Sequence, residues 1–152
     1  RIPLLLQVPA AVRFISAEPM LGMIDLEAIQ IPGEREGLRF SALRRQHDDR
    51  FGASDTILDW IIAGGESGPG ARDCRTSWLG SIVEQCKAAD VPVFVKQLGS
   101  RPVWSRRVGF GVGEDPRCAA WGGLKDPKGG DPAEWPEDLR VRQWPREVAH
   151  AG

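Results

Sequence analysis

The sequence predicts a parallel α/β fold: the later strands of a βα barrel of the TIM type, present in part, followed by an irregular tail rich in glycine, proline and tryptophan. Three observations predict it. Short, largely apolar runs at residues 11–17, 57–63 and 93–95 have the pattern of strands buried on both faces. Between the last two lies a stretch of helical period, so strand, loop, helix and strand follow in the order of one right-handed βαβ unit. The chain has 152 residues, enough for one domain with a core but fewer than the roughly 250 of a complete barrel.

Taken in order, residues 1–7 read as the tail of a helix with Pro3 in its first turn, ended at Val8-Pro9 because proline disfavours helix in the residue before it. The strand at 11–17 stops at Glu18-Pro19 and delivers a carboxylate at its carboxyl end. Residues 20–26 are expected to turn back over the core. From about 28 to 56 the pattern degrades, interrupted by Pro32, Gly33, Gly37 and Gly52 and crowded by Arg35, Arg39, Arg44, Arg45 and Arg50. A long surface excursion is expected there, with a short helix from Ser41 to His47. Its basic residues either touch phosphates or simply form a solvated face. Residues 57–63 form the clearest strand and run into a glycine-rich loop at 64–72. Thr76 or Ser77 then caps a helix to about Ala89, since Trp78, Leu79, Ile82, Val83, Cys86 and Ala89 share one face. Asp90-Val91-Pro92 ends the helix, and Val93-Phe94-Val95 delivers Lys96 and Gln97. Residues 1–99 are thus assigned to the barrel part and 100–152 to the tail. Trp104, Trp121, Trp135 and Trp144 cannot all stay in water, so the tail is expected to wrap back and plug one end or flank of the barrel. In it, Asp131-Pro132 caps one helical turn and Leu139-Arg140-Val141-Arg142 alternates like a brief edge strand.

Several function classes are excluded or disfavoured. Formal net charge is -1, so no global field pulls the chain onto nucleic acid. The basic side is 16 arginines against 4 lysines, which suits phosphate recognition and is as readily the mark of a GC-rich genome. Cys74, Cys86 and Cys118 lie far apart and odd in number, which excludes a disulfide framework or a CxxC metal knuckle, and no metal site is expected. A reducing, cytoplasmic setting is the expectation. No apolar run approaches a membrane span of about 18 residues, so no membrane partner is expected. The chain opens inside a helix already under way, and its expected first partner is the missing amino-terminal half of the same protein.

Ligands of parallel α/β folds sit at the carboxyl ends of the strands, where loops converge. That rule selects Glu18, the loop at 64–72, and Lys96 with Gln97. Gly64, Gly65, Ser67 and Gly68 let backbone N–H groups approach a small anionic or nucleotide-like ligand, or serve only a tight strand-to-helix turn. The loop is neither a Walker loop nor a GxGxxG fingerprint. On the ligand reading, Gly65→Val removes anion affinity at modest cost in stability. Glu66 and Glu18 either accept hydrogen bonds from a ligand, coordinate a metal or only cap local N–H groups. Lys96 binds a carboxylate or phosphate, acts as a base, or pairs with Glu18 or Glu66. Arg72 is a candidate anion clamp. Glu18, Glu66 and Lys96 are the catalytic candidates. Cys86 reads as core, and Cys74, just before the helix, is placed where a thiol becomes more acidic. His47 and His150 lie outside the strand ends, leaving a Ser-His-Asp arrangement without a histidine.

The segments Arg1-Ile2-Pro3-Leu4-Leu5-Leu6-Gln7, Phe14-Ile15-Ser16-Ala17-Glu18-Pro19, Trp60-Ile61-Ile62-Ala63-Gly64-Gly65-Glu66-Ser67-Gly68, Phe94-Val95-Lys96-Gln97 and Lys128-Gly129-Gly130-Asp131 with Trp135-Pro136-Glu137-Asp138-Leu139-Arg140 together resemble one family. It is the bacterial and phage "gene product thirty-seven / sixty-eight" family of unknown function, and the similarity is to its carboxyl-terminal portion. Five motifs occur in the family's order, leaving out about residues 28–56. Full-length relatives carry three closely spaced cysteines, similar to the iron-sulfur motif of radical adenosylmethionine enzymes on a partial βα barrel. The resemblance implies a radical enzyme in the complete gene product, with an iron-sulfur cluster and S-adenosylmethionine. No cofactor is assigned to this segment alone, which is expected to be inactive. In such barrels strand-end groups touch the methionyl and ribose parts of the cofactor, a role suited to Gly64, Gly65, Glu66 and Lys96. The alternative is a phage-associated nucleic-acid or nucleoprotein binding module using the arginine-rich excursion.

Overall fold

The computed structural model describes residues 1–31, 39–45, 57–108, 111–114 and 124–145, with the side chains of 106–108 and 111–114 excepted. The element order is α1 (Ile2–Leu5), β1 (Phe14–Ala17), β2 (Ile29–Gln30), β3 (Arg39–Phe40), β4 (Trp60–Gly64), β5 (Cys74–Arg75), α2 (Thr76–Ala89), β6 (Val93–Gln97), β7 (Pro102–Val103), β8 (Ser105–Val108) and β9 (Gly111–Glu114), then two 3-10 turns, Pro132–Glu134 and Glu137–Leu139. The three expected strands form one sheet in the order β1-β4-β6, parallel throughout. The described residues form a mixed α/β fold with parallel pairing and no closed barrel.

One face of this sheet carries Ile61, Ala63, Val93 and Val95, all buried, against Leu79, Ile82, Val83 and Cys86 of α2. Each of the Ile, Val and Leu side chains among them contributes about 1.5–3 kcal/mol when fully buried. The helix stops where Asp90 adopts a left-handed backbone (φ 58°) and donates its N–H to Cys86 O and Lys87 O, as the Asp90-Val91-Pro92 signal predicts. At its other end the expected cap is not the one found. The N-cap is Arg75, whose side chain makes no cap bond. Instead Ser105 Oγ accepts from Ser77 N (3.2 Å), and Ser105 N donates to Thr76 Oγ1 (2.9 Å). The cap arrives from β8, across 28 residues of sequence, where no local pattern reveals it.

The excursion is less superficial than expected in its described part. Ile29–Gln30 pairs antiparallel with Arg39–Phe40, and Ala42 and Leu43 are buried. No helix forms at 41–45; Ser41 Oγ accepts from Leu43 N and Arg44 N, a local turn that competes with helix. His47, Arg35, Arg50, Cys118, Trp121 and His150 lie outside the described residues.

The tail is more regular than expected, since Pro102–Val103 pairs with Cys74–Arg75 in parallel and β8–β9 is an antiparallel hairpin. Glycines at 111 and 113 erase the alternation that would have marked β9. It does wrap back. Trp135 is fully buried and donates its indole N–H to Gly129 O (3.0 Å). Asp131 caps the first 3-10 turn, its carboxylate accepting from Ala133 N. Arg142 bridges Phe94 antiparallel, while Val95 N donates to Val141 O (2.8 Å) and Gln143 N to Val93 O (2.9 Å), so residues 141–143 line the outer edge of β6.

The other sheet face carries Phe14, Trp60 and Phe94, which with Trp144 form a ring cluster with centroids 5.3–6.3 Å apart. No described helix covers it, and Phe14 remains 48% and Trp144 68% exposed.

Candidate functional site

The parallel register sets the geometry of the strand ends. Ser16 lies two residues before Glu18, hence on the same side of the chain as it leaves β1, and its Oγ donates to Glu18 Oε2 (2.8 Å). Lys96 Nζ reaches the same oxygen at 3.3 Å, from two strands away. Between them passes Gly64. A Cβ there would stand 2.6 Å from Glu18 Oε1 and 3.2 Å from Gln97 O, so the missing side chain is what lets the carboxylate lie across the end of β4. Glu18 is mostly covered and Lys96 about half exposed. Ser16, Glu18 and Lys96 thus form one polar row at the carboxyl end of the sheet, with an ammonium directed at solvent. Gln97 closes the sheet end, its side-chain amide donating to Gly65 O (2.9 Å) and its carbonyl accepting from Gly65 N (3.0 Å).

Glu66 and Arg72 do not join that row. Arg72 grips Glu66 with two side-chain bonds, Nε to Oε2 at 2.8 Å and Nη2 to Oε1 at 3.0 Å, and its backbone N–H adds a third at 3.0 Å. This fork holds the Glu66 carboxyl down to about pKa 2, the side-chain bonds to Arg72 being the largest cause, and raises that of Arg72. The candidate anion clamp is therefore turned onto its own loop.

Several of the loop's amides are similarly occupied. Gly65 N bonds to Gln97 O, Gly68 N to Ser100 Oγ (3.0 Å) and Ala71 N to Gly68 O (3.2 Å). Gly68 and Gly70 are needed for positive φ (98° and 76°). Gly65 is needed for close packing, because a Cβ would overlap the carbonyl oxygen of Leu98 and lie 2.9 Å from Cys74 Cβ. The expectation that Gly65→Val costs only modest stability is overturned. Ser67, Gly68 and Gly70 are exposed at the tip.

Cys74, placed by sequence where a thiol gains acidity, is buried, and desolvation pushes its pKa up to about 12; Cys86 shows the same shift from the same cause. Among the described residues no three His, Cys, Asp or Glu side chains are arranged to hold a metal ion. With two inert thiols and no close cysteine group, the described residues do not fit an iron-sulfur cluster. Two functional-looking residues escaped the sequence reading. Ser16 was accessible through its two-residue spacing from Glu18. Arg142 was not: it lies over the rings of Phe94 and Trp135 and donates to Lys96 O (3.2 Å), all distant in sequence.

Residues 1–120 match the model of a family described as protein of unknown function, DUF5131. The chain belongs to that family. No curated protein and no solved structure matches it. The DUF5131 match covers β1, β4 and β6 with the whole polar row, whereas Trp135 and the segment lining β6 lie beyond it. Among the described residues of this DUF5131 chain, no helix is long and apolar enough to cross a membrane.

Proposed function

We propose that this DUF5131 chain carries the ligand-recognising mouth of an α/β enzyme, its sheet being the later strands of a partial βα barrel, and that Lys96 meets an anionic group of a small ligand. The observation that carries this reading is the single row Ser16, Glu18 and Lys96 at the carboxyl ends of parallel strands, with Gly64 cleared beneath it. The Lys96 ammonium has three donors and one acceptor is Glu18, leaving capacity for a ligand carboxylate or phosphate. Glu18, held by Ser16, can in turn accept from a ligand ammonium or hydroxyl. The resemblance to the phage "gene product thirty-seven / sixty-eight" family supports a radical adenosylmethionine enzyme in the complete gene product, in a reducing, cytoplasmic setting. There the adjacent cation and anion suit the amino-acid end of adenosylmethionine. The cluster itself would be held by residues other than those described, and no step is assigned to it.

The test is adenosylmethionine binding by the complete, anaerobically purified gene product, measured by calorimetry. Loss of one charge-assisted hydrogen bond of about 1.5–3 kcal/mol makes Lys96→Met bind roughly ten- to a hundredfold more weakly. Arg72→Gln should leave binding unchanged, because Arg72 is spent on Glu66. Equal affinity in Lys96→Met would remove the mouth from the reading. Salt-sensitive duplex binding without adenosylmethionine binding would replace it with the nucleic-acid module.

A further inference from the structure

We infer that a cleft of about 430 Å³, lined by β7 and by residues of the segment 124–127, binds a small organic cation: a guanidinium, amidinium or amine carried on an apolar body. Its apolar walls include Trp104, Leu124 and Pro127, and its charged lining is Asp73, Arg101 and Asp126. Small-molecule sites span about 300–1,000 Å³ and commonly combine apolar walls with a few charged groups, which is the make-up found here. The inference is independent of the row Ser16, Glu18 and Lys96, none of which lines the cleft.

The fold fixes both sides. Strands β5 and β7 pair in parallel with Cys74 opposite Pro102, so the residues that precede them, Asp73 and Arg101, stand side by side where the ladder begins. They form an ion pair, Arg101 Nε to Asp73 Oδ1 at 3.0 Å, and Cys74 N donates to Arg101 O (3.0 Å). Trp104 follows β7 directly and, like Leu124, packs against the core cluster. The segment 124–127 is tethered to the chain after β6: Ser100 Oγ donates to Pro127 O (2.6 Å), and Leu98 N to Gly129 O (2.8 Å). Asp126 Oδ1 accepts from Lys128 N (2.8 Å), and the Glu134 carboxylate accepts from the backbone N–H groups of Lys125 and Asp126. The cleft is therefore preformed, and a ligand entering it does not have to order its walls first.

The charges select the ligand. Two carboxylates line the cleft against one guanidinium, and that guanidinium is already paired with Asp73. No described residue donates a hydrogen bond to Asp126 Oδ2, so acceptor capacity remains on the wall that holds the unmatched charge. A carboxylate in one cleft with an indole suits an organic cation: the carboxylate accepts its N–H groups, the ring attracts its charge, and its apolar body covers Leu124 and Pro127. An anion is disfavoured, because it would add a third negative charge beside a single cation. A bare metal ion is disfavoured as well, since among the described residues no three His, Cys, Asp or Glu side chains are arranged to hold one and Arg101 stands against Asp73.

Benzamidine, benzamide and benzoate share one shape and differ in charge, so together they separate charge from fit. The complete gene product is labelled with fluorotryptophan, its Trp104 signal is assigned with Trp104→Phe, and each probe is titrated by fluorine NMR. Benzamidine should shift the Trp104 signal and saturate at millimolar concentration or below; benzamide should bind about tenfold or more weakly, and benzoate should give no saturable shift. Asp126→Asn keeps the oxygen that accepts from Lys128 N and removes the charge, so it should weaken benzamidine about fivefold or more with the melting midpoint within about 2 °C of the parent. The comparison of the three probes on the parent decides the matter even if that variant fails to fold. Equal affinity for benzamide or benzoate, unchanged benzamidine binding in folded Asp126→Asn, no saturable shift, or shifts confined to other indoles overturns the inference.

Discussion

Gly65→Ala is the sharpest probe of how the strand ends are held. The new methyl would overlap the carbonyl oxygen of Leu98, stand 2.7 Å from its carbonyl carbon and 2.9 Å from Cys74 Cβ, where ordinary contact begins at 3.4 Å. Because the two nearest opposing atoms, both of Leu98, are backbone, relief requires the chain after β4 and the chain after β6 to part just where Gly65 and Gln97 exchange two hydrogen bonds, of 3.0 and 2.9 Å. Overpacking costs about 1–3 kcal/mol and each lost hydrogen bond about 1 kcal/mol, giving about 3–5 kcal/mol in all. A domain of this size is stable by about 8–15 kcal/mol, so the loss is a large fraction of the whole. At about 2–4 °C per kcal/mol, the circular-dichroism melting midpoint should fall by roughly 6–20 °C. Gly22→Ala is the matched control, since its Cβ meets nothing within 4 Å, and it should stay within about 0.5 kcal/mol of the parent. A Gly65→Ala midpoint within about 2 °C of the parent would refute the claimed proximity of loop and Leu98.

Two further outcomes follow from the ionisable groups. The Glu66 carboxyl, followed by NMR, should titrate near pH 2; with its folded pKa depressed, the Arg72 brace is intact above the ordinary carboxylate range and is lost only as pH falls through about 2, whereas in Arg72→Gln the midpoint returns towards 4.5. Cys74 and Cys86, raised to about 12 by burial, should stay unmodified by iodoacetamide at pH 8 in the folded protein and react fully in denaturant; peptide mapping that finds Cys74 modified first would contradict its burial.

What the sequence disclosed was the part of the fold encoded locally. The apolar runs at 11–17, 57–63 and 93–95, which contain most of the observed strands 14–17, 60–64 and 93–97, and the helical period after Thr76 are written in neighbouring residues, and so is the stop at Asp90. Parallel pairing then followed from the βαβ order. The convergence of Glu18 and Lys96 was readable because both follow short apolar runs that read as parallel strands, although β1 itself is only half covered. Glu66 was misgrouped with them, since its bond to Arg72 depends on how the loop folds back over six residues. The cap by Ser105, the lining of β6 and the burial of Trp135 are contacts between segments far apart in the chain, which no local periodicity encodes. The glycines of the loop were ambiguous for a different reason: close packing, positive φ and anion approach all select the same residue.

The lining of β6 by residues 141–143 has a consequence for how the protein is made. A ribosome adds about 5–20 residues per second, so Val93–Gln97 exists for a few seconds before residues 141–143 are synthesised. Throughout that interval a nascent strand offers open backbone to any neighbouring chain. Truncated or stalled products ending between these two points would carry the hazard permanently, and aggregation during expression should concentrate in them.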